Sequence, residues 1–199
     1  SLPIENRVSD LLTRLTRAEK IGQLGQVCMF NYADRREEYL AGIRNSQWGS
    51  RILAESAWAG NLPESAINPA QLNEVQRVAV EESRLGIPIL FGRDVIYGHR
   101  TVLPIPHSHA ASFNPALLEQ ALGGVAAEAS AEGVHWTFSP MMDLVRDPRW
   151  GRVIESYGED PYLASRLAVA AVRGFQGDDP SQPGHMLACA KHFAGYGGA

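Results

Sequence analysis

The sequence predicts an α/β fold of parallel strands joined by right-handed helical crossovers, with a β/α barrel favoured over an open doubly wound sheet. Helix-start signals recur as Asn68-Pro69, Asn114-Pro115 and Asp160-Pro161. Each is followed by apolar residues at helical spacing and then by a short unbroken apolar run of the kind that forms a fully buried strand. The rival doubly wound sheet lacks its Gly-x-Gly-x-x-Gly fingerprint between a first strand and helix, and Gly195-Tyr196-Gly197-Gly198 is too short to supply it.

The first element is announced by Thr16-Arg17-Ala18-Glu19, a Ser/Thr-x-x-Glu capping box that satisfies unpaired amides at a helix start. A helix therefore begins near Arg17, with Ile21 and Leu24 expected on its buried side. An apolar piece follows around Val27 to Phe30, then a charged helical stretch from Asp34 to Asn45, and a short strand over Trp48 to Ala54. At Asn68-Pro69 the asparagine caps, and the proline suits the first helical position because its missing amide would be unpaired there anyway. Leu72, Val75, Val78 and Ala79 form that helix's apolar face, Gly86 is placed to end it in a left-handed conformation, and residues 87–91 read as a buried strand.

The unit repeats from Asn114-Pro115, with Leu118, Ala121, Leu122, Val125 and Ala129 on the apolar face, Gly123-Gly124 weakening the helix, Gly133 stopping it and Val134 to Ser139 as strand. It repeats again from Asp160-Pro161 with Leu163, Leu167, Ala170 and Phe175, ending in a strand over residues 186–190.

Composition narrows the partners. Of 199 residues 45% are hydrophobic and 20% charged, the ordinary make-up of a globular domain with a sizeable core. A net charge of -4 gives no general attraction to nucleic acid or to an anionic membrane surface. No apolar run approaches the roughly 18 residues of a membrane span, and Ser1-Leu2-Pro3 has no signal-segment character, so any targeting peptide is expected to be removed or to lie outside these residues. Cys28 and Cys189 lack the paired spacing of a zinc or redox motif and read as buried free thiols that do not fix a compartment.

In β/α barrels functional groups project from the C-terminal ends of strands. The charges here fall there: Arg93-Asp94 and His99-Arg100 after the third strand, Asp143, Arg146, Asp147, Arg149 and Arg152 after the fourth, and Lys191-His192 after the fifth. With Tyr97, Trp136 and Trp150 nearby in sequence, this mix suits a neutral polyhydroxylated ligand, since charged groups bond hydroxyls at about 1.5 to 3 kcal/mol each and aromatic faces cover C–H patches. Asp94, His99, Asp143 and His192 are potential metal ligands, but the adjacent Arg and Lys oppose a divalent cation, and no metal is expected.

Structural roles are expected for Arg146-Asp147, Glu155 and Glu159-Asp160, the last pair favoured at a helix start by its dipole. His107 and His109 read as surface or packing histidines in a loop, and His135 as a core histidine. Lys191 is different, because a lysine directly after a buried strand is costly to desolvate unless it binds something.

GIPILFGRDVIYGHRTVLPIP over 86–106, ASFN over 111–114, GVHWTFSPMMD over 133–143, RDPRWGR over 146–152, ESYGEDP over 155–161 and ACAKHFAGYG over 188–197 together resemble glycoside hydrolase family 3 of the β-glucosidase type. The match runs in order over nearly the whole chain. The resemblance implies a (β/α)8 barrel that holds the sugar at the nonreducing end, with Asp94, Arg100, Arg152, Lys191 and His192 matching the family's residues around that sugar. It implies no cofactor, and a periplasmic or secreted setting. An aspartate at position 94 resembles the glucosidase branch, where it grips outer hydroxyls of glucose, whereas the xylosidase branch commonly carries glutamate in a related motif. Ala194-Gly195-Tyr196 stands where the N-acetylglucosaminidase branch has Pro-Gly-His, which argues against that branch. Tyr97, where many relatives have histidine, and His107-Ser108-His109, in place of a Leu-Gly-containing segment, depart from the pattern.

The implied reaction is retaining hydrolysis by two carboxyl groups about 5 to 5.5 Å apart. The family's aspartate nucleophile lies on a later strand and its acid/base glutamate further on, so both are expected beyond Ala199, leaving no catalytic carboxylate in this chain. A TIM barrel takes about 250 residues. Five candidate strands therefore make residues 1–199 the N-terminal portion of one barrel domain, a partial (β/α)8 barrel truncated after about the fifth strand. An unclosed barrel exposes a sheet edge and apolar helix faces, so the isolated chain is expected to aggregate, pair with a copy or need the remainder. Other readings stay open: a noncatalytic sugar-binding half barrel, β-xylosidase specificity within the same family, and an unrelated barrel enzyme with Lys191 as a Schiff base. Linkage, aglycone and oligomeric state depend on later loops and domains.

Overall fold

The computed structural model describes residues 2–29, 31–53, 68–193 and 196–198. Two compact units divide the chain, residues 1–91 and 92–199.

In the first unit, α1 (Ile4–Arg14) and α2 (Arg17–Gln23) precede β1 (Gln26–Cys28), α3 (Tyr32–Arg44), β2 (Ser50–Ile52) and α4 (Pro69–Glu81). The capping box forms in full: Thr16 accepts from the Glu19 amide, and the Glu19 carboxylate accepts from the Thr16 amide. Ile21 and Leu24 are exposed, however, which corrects the expected face. The cause is Gly22, whose missing Cβ lets the helix backbone close on the Ser46 carbonyl, so that Glu19 and Gly22 point inward on this two-turn helix.

β1 and β2 run parallel, with Gln26 opposite Ser50 and Cys28 opposite Ile52, and the Leu90 amide donates to Gly49 O at 3.0 Å. The expected strands reaching Phe30 and Ala54 are shorter than drawn from the sequence, and those two residues themselves lie outside the described ones. Asn68 caps α4 through Ala70 and Gln71, and Leu72, Val75, Val78 and Ala79 are all buried as the periodicity requires. Gly86 has φ +63° but does not end the helix, which stops at Glu81 and is capped by Glu82. The core of this unit includes Tyr39, Leu40, Ile43 and Phe91, and Tyr39 lies edge-on to Trp48 at 6.3 Å.

β3 (Leu90–Arg93) ends in the second unit, followed by α5 (Pro106–Ala111), α6 (Pro115–Ala131), β4 (Trp136–Thr137), a 3-10 turn (Val153–Glu155) and α7 (Pro161–Gln176). Asn114 caps α6 through Leu117, and Asp160 caps α7 through Leu163, at the two remaining Asx-Pro signals. α6 and α7 pack face to face, burying Leu118, Leu122, Val125 and Ala129 from one and Leu167, Ala168, Ala171 and Phe175 from the other.

β3 and β4 are parallel, with Gly92 opposite Trp136 and Arg93 opposite Thr137. The fifth predicted strand is a series of parallel bridges rather than a continuous ladder: Trp136 pairs with Leu187 and Met141 with Lys191. The helix and parallel-strand units are those of a partial (β/α)8 barrel. His107 and His109 lie in α5, not in a loop, because Pro106 occupies its first turn. His135 is exposed just ahead of β4 rather than in the core, and its carbonyl accepts from the Leu187 amide at 2.8 Å. Cys28 and Cys189 are half-buried rather than fully buried. No helix among the described residues is long and apolar enough to cross a membrane.

Candidate active site

Asp94 is the first residue after β3. A turn closes behind it: the Gly98 amide donates to Val95 O at 3.1 Å, and Val95 is buried, anchoring the turn while Asp94 stays exposed. Gly98, at φ +96°, is needed there because a Cβ would collide with the Thr101 carbonyl.

The fifth-strand bridges deliver Lys191 and His192 to the same region. The Lys191 amide donates to Pro140 O at 3.0 Å, and the Met142 amide donates to Lys191 O at 2.7 Å. Lys191 Nζ then lies 3.6 Å from Asp94 Oδ1, with its side chain only 14% exposed. That separation gives an electrostatic pair without a hydrogen bond, so both groups keep capacity for a ligand hydroxyl.

Arg152 comes from the turn ahead of Val153–Glu155. Its Nε and one terminal nitrogen donate to Glu155 at 2.8 and 2.6 Å, and its other terminal nitrogen is 3.3 Å from His192 Nε2. The Glu155 carboxylate holds Arg152 above the usual arginine range, so its charge is permanent. His192 Nδ1 lies 2.7 Å from Asp143 Oδ2, which also accepts from the His192 amide at 3.2 Å. Tyr196 stands edge-on to His192 at 4.9 Å and to Trp150 at 5.0 Å, and the Arg152 guanidinium is 5.7 Å from its centroid. Burial, followed by the charge of Glu155, raises the Tyr97 phenol, which therefore remains a donor at neutral pH.

Four of the five residues singled out in the sequence thus come together as Asp94 with Lys191 and Arg152 with His192. Arg100 turns elsewhere: its Nε donates to Glu132 at 2.5 Å and its amide to Glu128 at 3.0 Å, and Glu132 also meets the buried His99 Nε2 at 3.0 Å. Among the described residues its contacts do not reach the other four. Asp143, Glu155 and Tyr196 also belong to the cluster, although the resemblance does not place them among the sugar residues. Glu155 reads as structural in the sequence, and the one signal for Asp143 is that it is the first acid after the fourth strand. Asp147 pairs locally with Arg149, and no group of three or more His, Cys, Asp or Glu able to hold a metal occurs among the described residues.

Residues 16–199 match the model of the glycosyl hydrolase family 3 N-terminal domain. The chain belongs to glycosyl hydrolase family 3. It is 36% identical over 191 residues to a periplasmic beta-glucosidase of Salmonella typhimurium, covering 96% of this chain and 23% of that protein. It is also 36% identical over 210 residues to a putative beta-xylosidase of Formosa agariphila, covering 99% of this chain and 27% of that one. Among solved structures, the beta-glucosidase of Listeria innocua superposes with a TM-score of 0.81 at 38% identity, over 98% of this chain and 27% of that one. A D270A mutant of that enzyme in complex with laminaribiose gives a TM-score of 0.82 at 37% identity, over the same shares of the two chains. The family 3 chain described here therefore spans about a quarter of the length of these relatives.

Proposed function

We propose that the whole protein hydrolyses terminal nonreducing β-D-glucosyl residues with retention, and that this segment supplies the shell that grips the nonreducing-end sugar. The observation that carries the reading is the convergence of Asp94 with Lys191 and of Arg152 with His192 at strand ends, in a fold whose solved relatives include a beta-glucosidase in complex with glucose.

The chemistry follows from what each group offers. Lys191 and Arg152 donate, Asp94 accepts, and the ring of Tyr196 supplies an apolar flank to the His192 side of the cluster. A retaining mechanism also needs a nucleophile and an acid. Asp94, Asp143 and Glu155 each face a cation or an imidazole already, so we assign them to binding and positioning and place the two reacting carboxyl groups in the remainder of the protein. Arg100 is paired with Glu132 instead. Interactions that strengthen as positive charge develops on the sugar raise kcat, whereas grip on remote hydroxyls contributes binding energy that the reacting centre can use.

The test is Asp94→Ala in the whole enzyme, assayed on an aryl β-glucoside. The expected outcome is a loss of kcat/KM by orders of magnitude with an unchanged thermal midpoint, and near wild-type turnover would remove Asp94 from the site. A second reading, β-xylosidase activity, has support in the equal identity to the Formosa agariphila protein. The ratio of kcat/KM on aryl β-glucoside and β-xyloside decides between them, and a ratio favouring xyloside would overturn the glucosidase assignment.

A further inference from the structure

His192 is held at both ring nitrogens by groups that allow one arrangement of its proton. On one side Asp143 Oδ2, an acceptor when ionised, lies 2.7 Å from Nδ1 and also takes the His192 amide at 3.2 Å. On the other, Arg152, a donor only, lies 3.3 Å from Nε2. A carboxylate at Nδ1 calls for a proton there, and a guanidinium at Nε2 calls for a lone pair there. Both contacts select the tautomer with hydrogen on Nδ1 and an accepting Nε2.

Asp143 is itself fixed. Its side chain is 4% exposed. Its carbonyl accepts from the buried Ser156 hydroxyl at 2.9 Å, and that hydroxyl in turn accepts from the Gly158 amide at 3.0 Å. The carboxylate is thus mounted on a backbone turn that cannot shift without breaking these bonds. The Arg152 contact is the weak one by comparison, since 3.3 Å is long for a hydrogen bond and Arg152 has its short bonds to Glu155 at 2.6 and 2.8 Å.

We propose that Asp143 is a positioning residue that sets His192 Nε2 as a hydrogen-bond acceptor, so that one hydroxyl of the bound sugar donates to His192 while accepting from Arg152. This rests on the reading of His192 as a sugar contact. A hydroxyl is the ligand group that fits between a lone pair and a guanidinium, because it gives and takes a hydrogen bond at the same oxygen. An ether or a fluorine at that place has no proton for His192.

A double-mutant cycle in the whole enzyme tests the proposal. Asp143→Asn keeps the shape and removes the charge, and its amide group is able to donate to Nδ1 and drive the proton to Nε2. It is expected to lower kcat/KM on an aryl β-glucoside by about ten- to a hundredfold, the range typical of removing the partner that orients a metal-ligating histidine. In a His192→Ala background the same change is expected to cost less than twofold, because its route of action is gone. Equal losses in both backgrounds would overturn the proposal alone and leave Asp143 a structural residue. His192→Ala at the wild-type rate would remove the underlying reading together with it. Should Asp143→Asn fail to fold, solid-state 15N spectra of histidine-labelled wild-type enzyme, with His192→Ala assigning the signal, provide the second measurement: a proton on Nδ1 is expected, and one on Nε2 overturns the proposal.

Discussion

The two units use the same charged residue types for different ends. In residues 1–91 the ion pairs tie helices to helices and to loops: Arg36 bridges α3 to Glu74 on α4, Arg44 of α3 meets Glu82 at 2.7 Å, and Arg84 reaches Glu19 of α2 at 2.8 and 2.5 Å. In residues 92–199 charges gather after the strands, where Asp94 meets Lys191 and His192 meets both Asp143 and Arg152. A charge on a helix surface such as Arg36 or Arg44 finds its partner on or beside the neighbouring helix. Lys191, carried just past a buried strand segment, is only 14% exposed, and in the proposed function a ligand offsets the cost of that placement. Changes in the first unit should therefore register in folding and those at the strand ends in turnover.

The largest expected effect tests whether the second unit's stability rests on apolar packing rather than on its charges. Phe175 is fully buried on α7, and Phe175→Ala is expected to cost about 3–5 kcal/mol in denaturant unfolding. A loss under 1 kcal/mol would break the division just drawn. Next comes Lys191→Ala, expected to lower kcat/KM on an aryl β-glucoside by about 10- to 150-fold, the equivalent of one charged hydrogen bond of about 1.5–3 kcal/mol, with little change in thermal midpoint. A large drop in Tm with turnover preserved would move Lys191 into the structural class. In the first unit, Thr16→Ala removes the cap of α2 and is expected to cost about 0.5–2 kcal/mol with kcat/KM unchanged.

The smallest effect is a pH dependence. The Arg84 guanidinium, with Thr16, lowers the Glu19 carboxyl from 4.5 to about 2. A carboxyl depressed in the folded state stabilises it fully above the unfolded value and loses that contribution as pH falls toward the folded value. The Glu19 contribution is thus present above pH 4.5 and disappears between there and about pH 2. Acid titration of stability in Arg84→Met should show a smaller component, since the Thr16 bonds remain, and an unaltered profile would show that the pair contributes nothing.

Much of the architecture was readable without coordinates, because its signals are local. Asn68, Asn114 and Asp160 each cap a helix beside a proline, and the buried face of α4 follows its period of 3.6 residues. Ile21 and Leu24 are exposed for a nonlocal reason: in a helix of two turns the inward face goes to Gly22, where close approach to Ser46 outweighs the burial of two side chains. The exposure of His135 is likewise not legible in its apolar neighbourhood in sequence.

By itself the sequence determined the alternation of helices and parallel strands, the placement of charges after strands and, through its motifs, a resemblance that family membership then bore out. Tertiary structure alone decided which charges meet. Arg100 and Asp94 lie six positions apart, yet one turns to Glu132 and the other to Lys191. Asp143 and His192 lie 49 positions apart and touch, because parallel pairing of the fourth and fifth strand segments sets Met141 beside Lys191. Strand register converts distance along the chain into proximity, and it depends on which apolar faces are buried together, which no single stretch of sequence specifies.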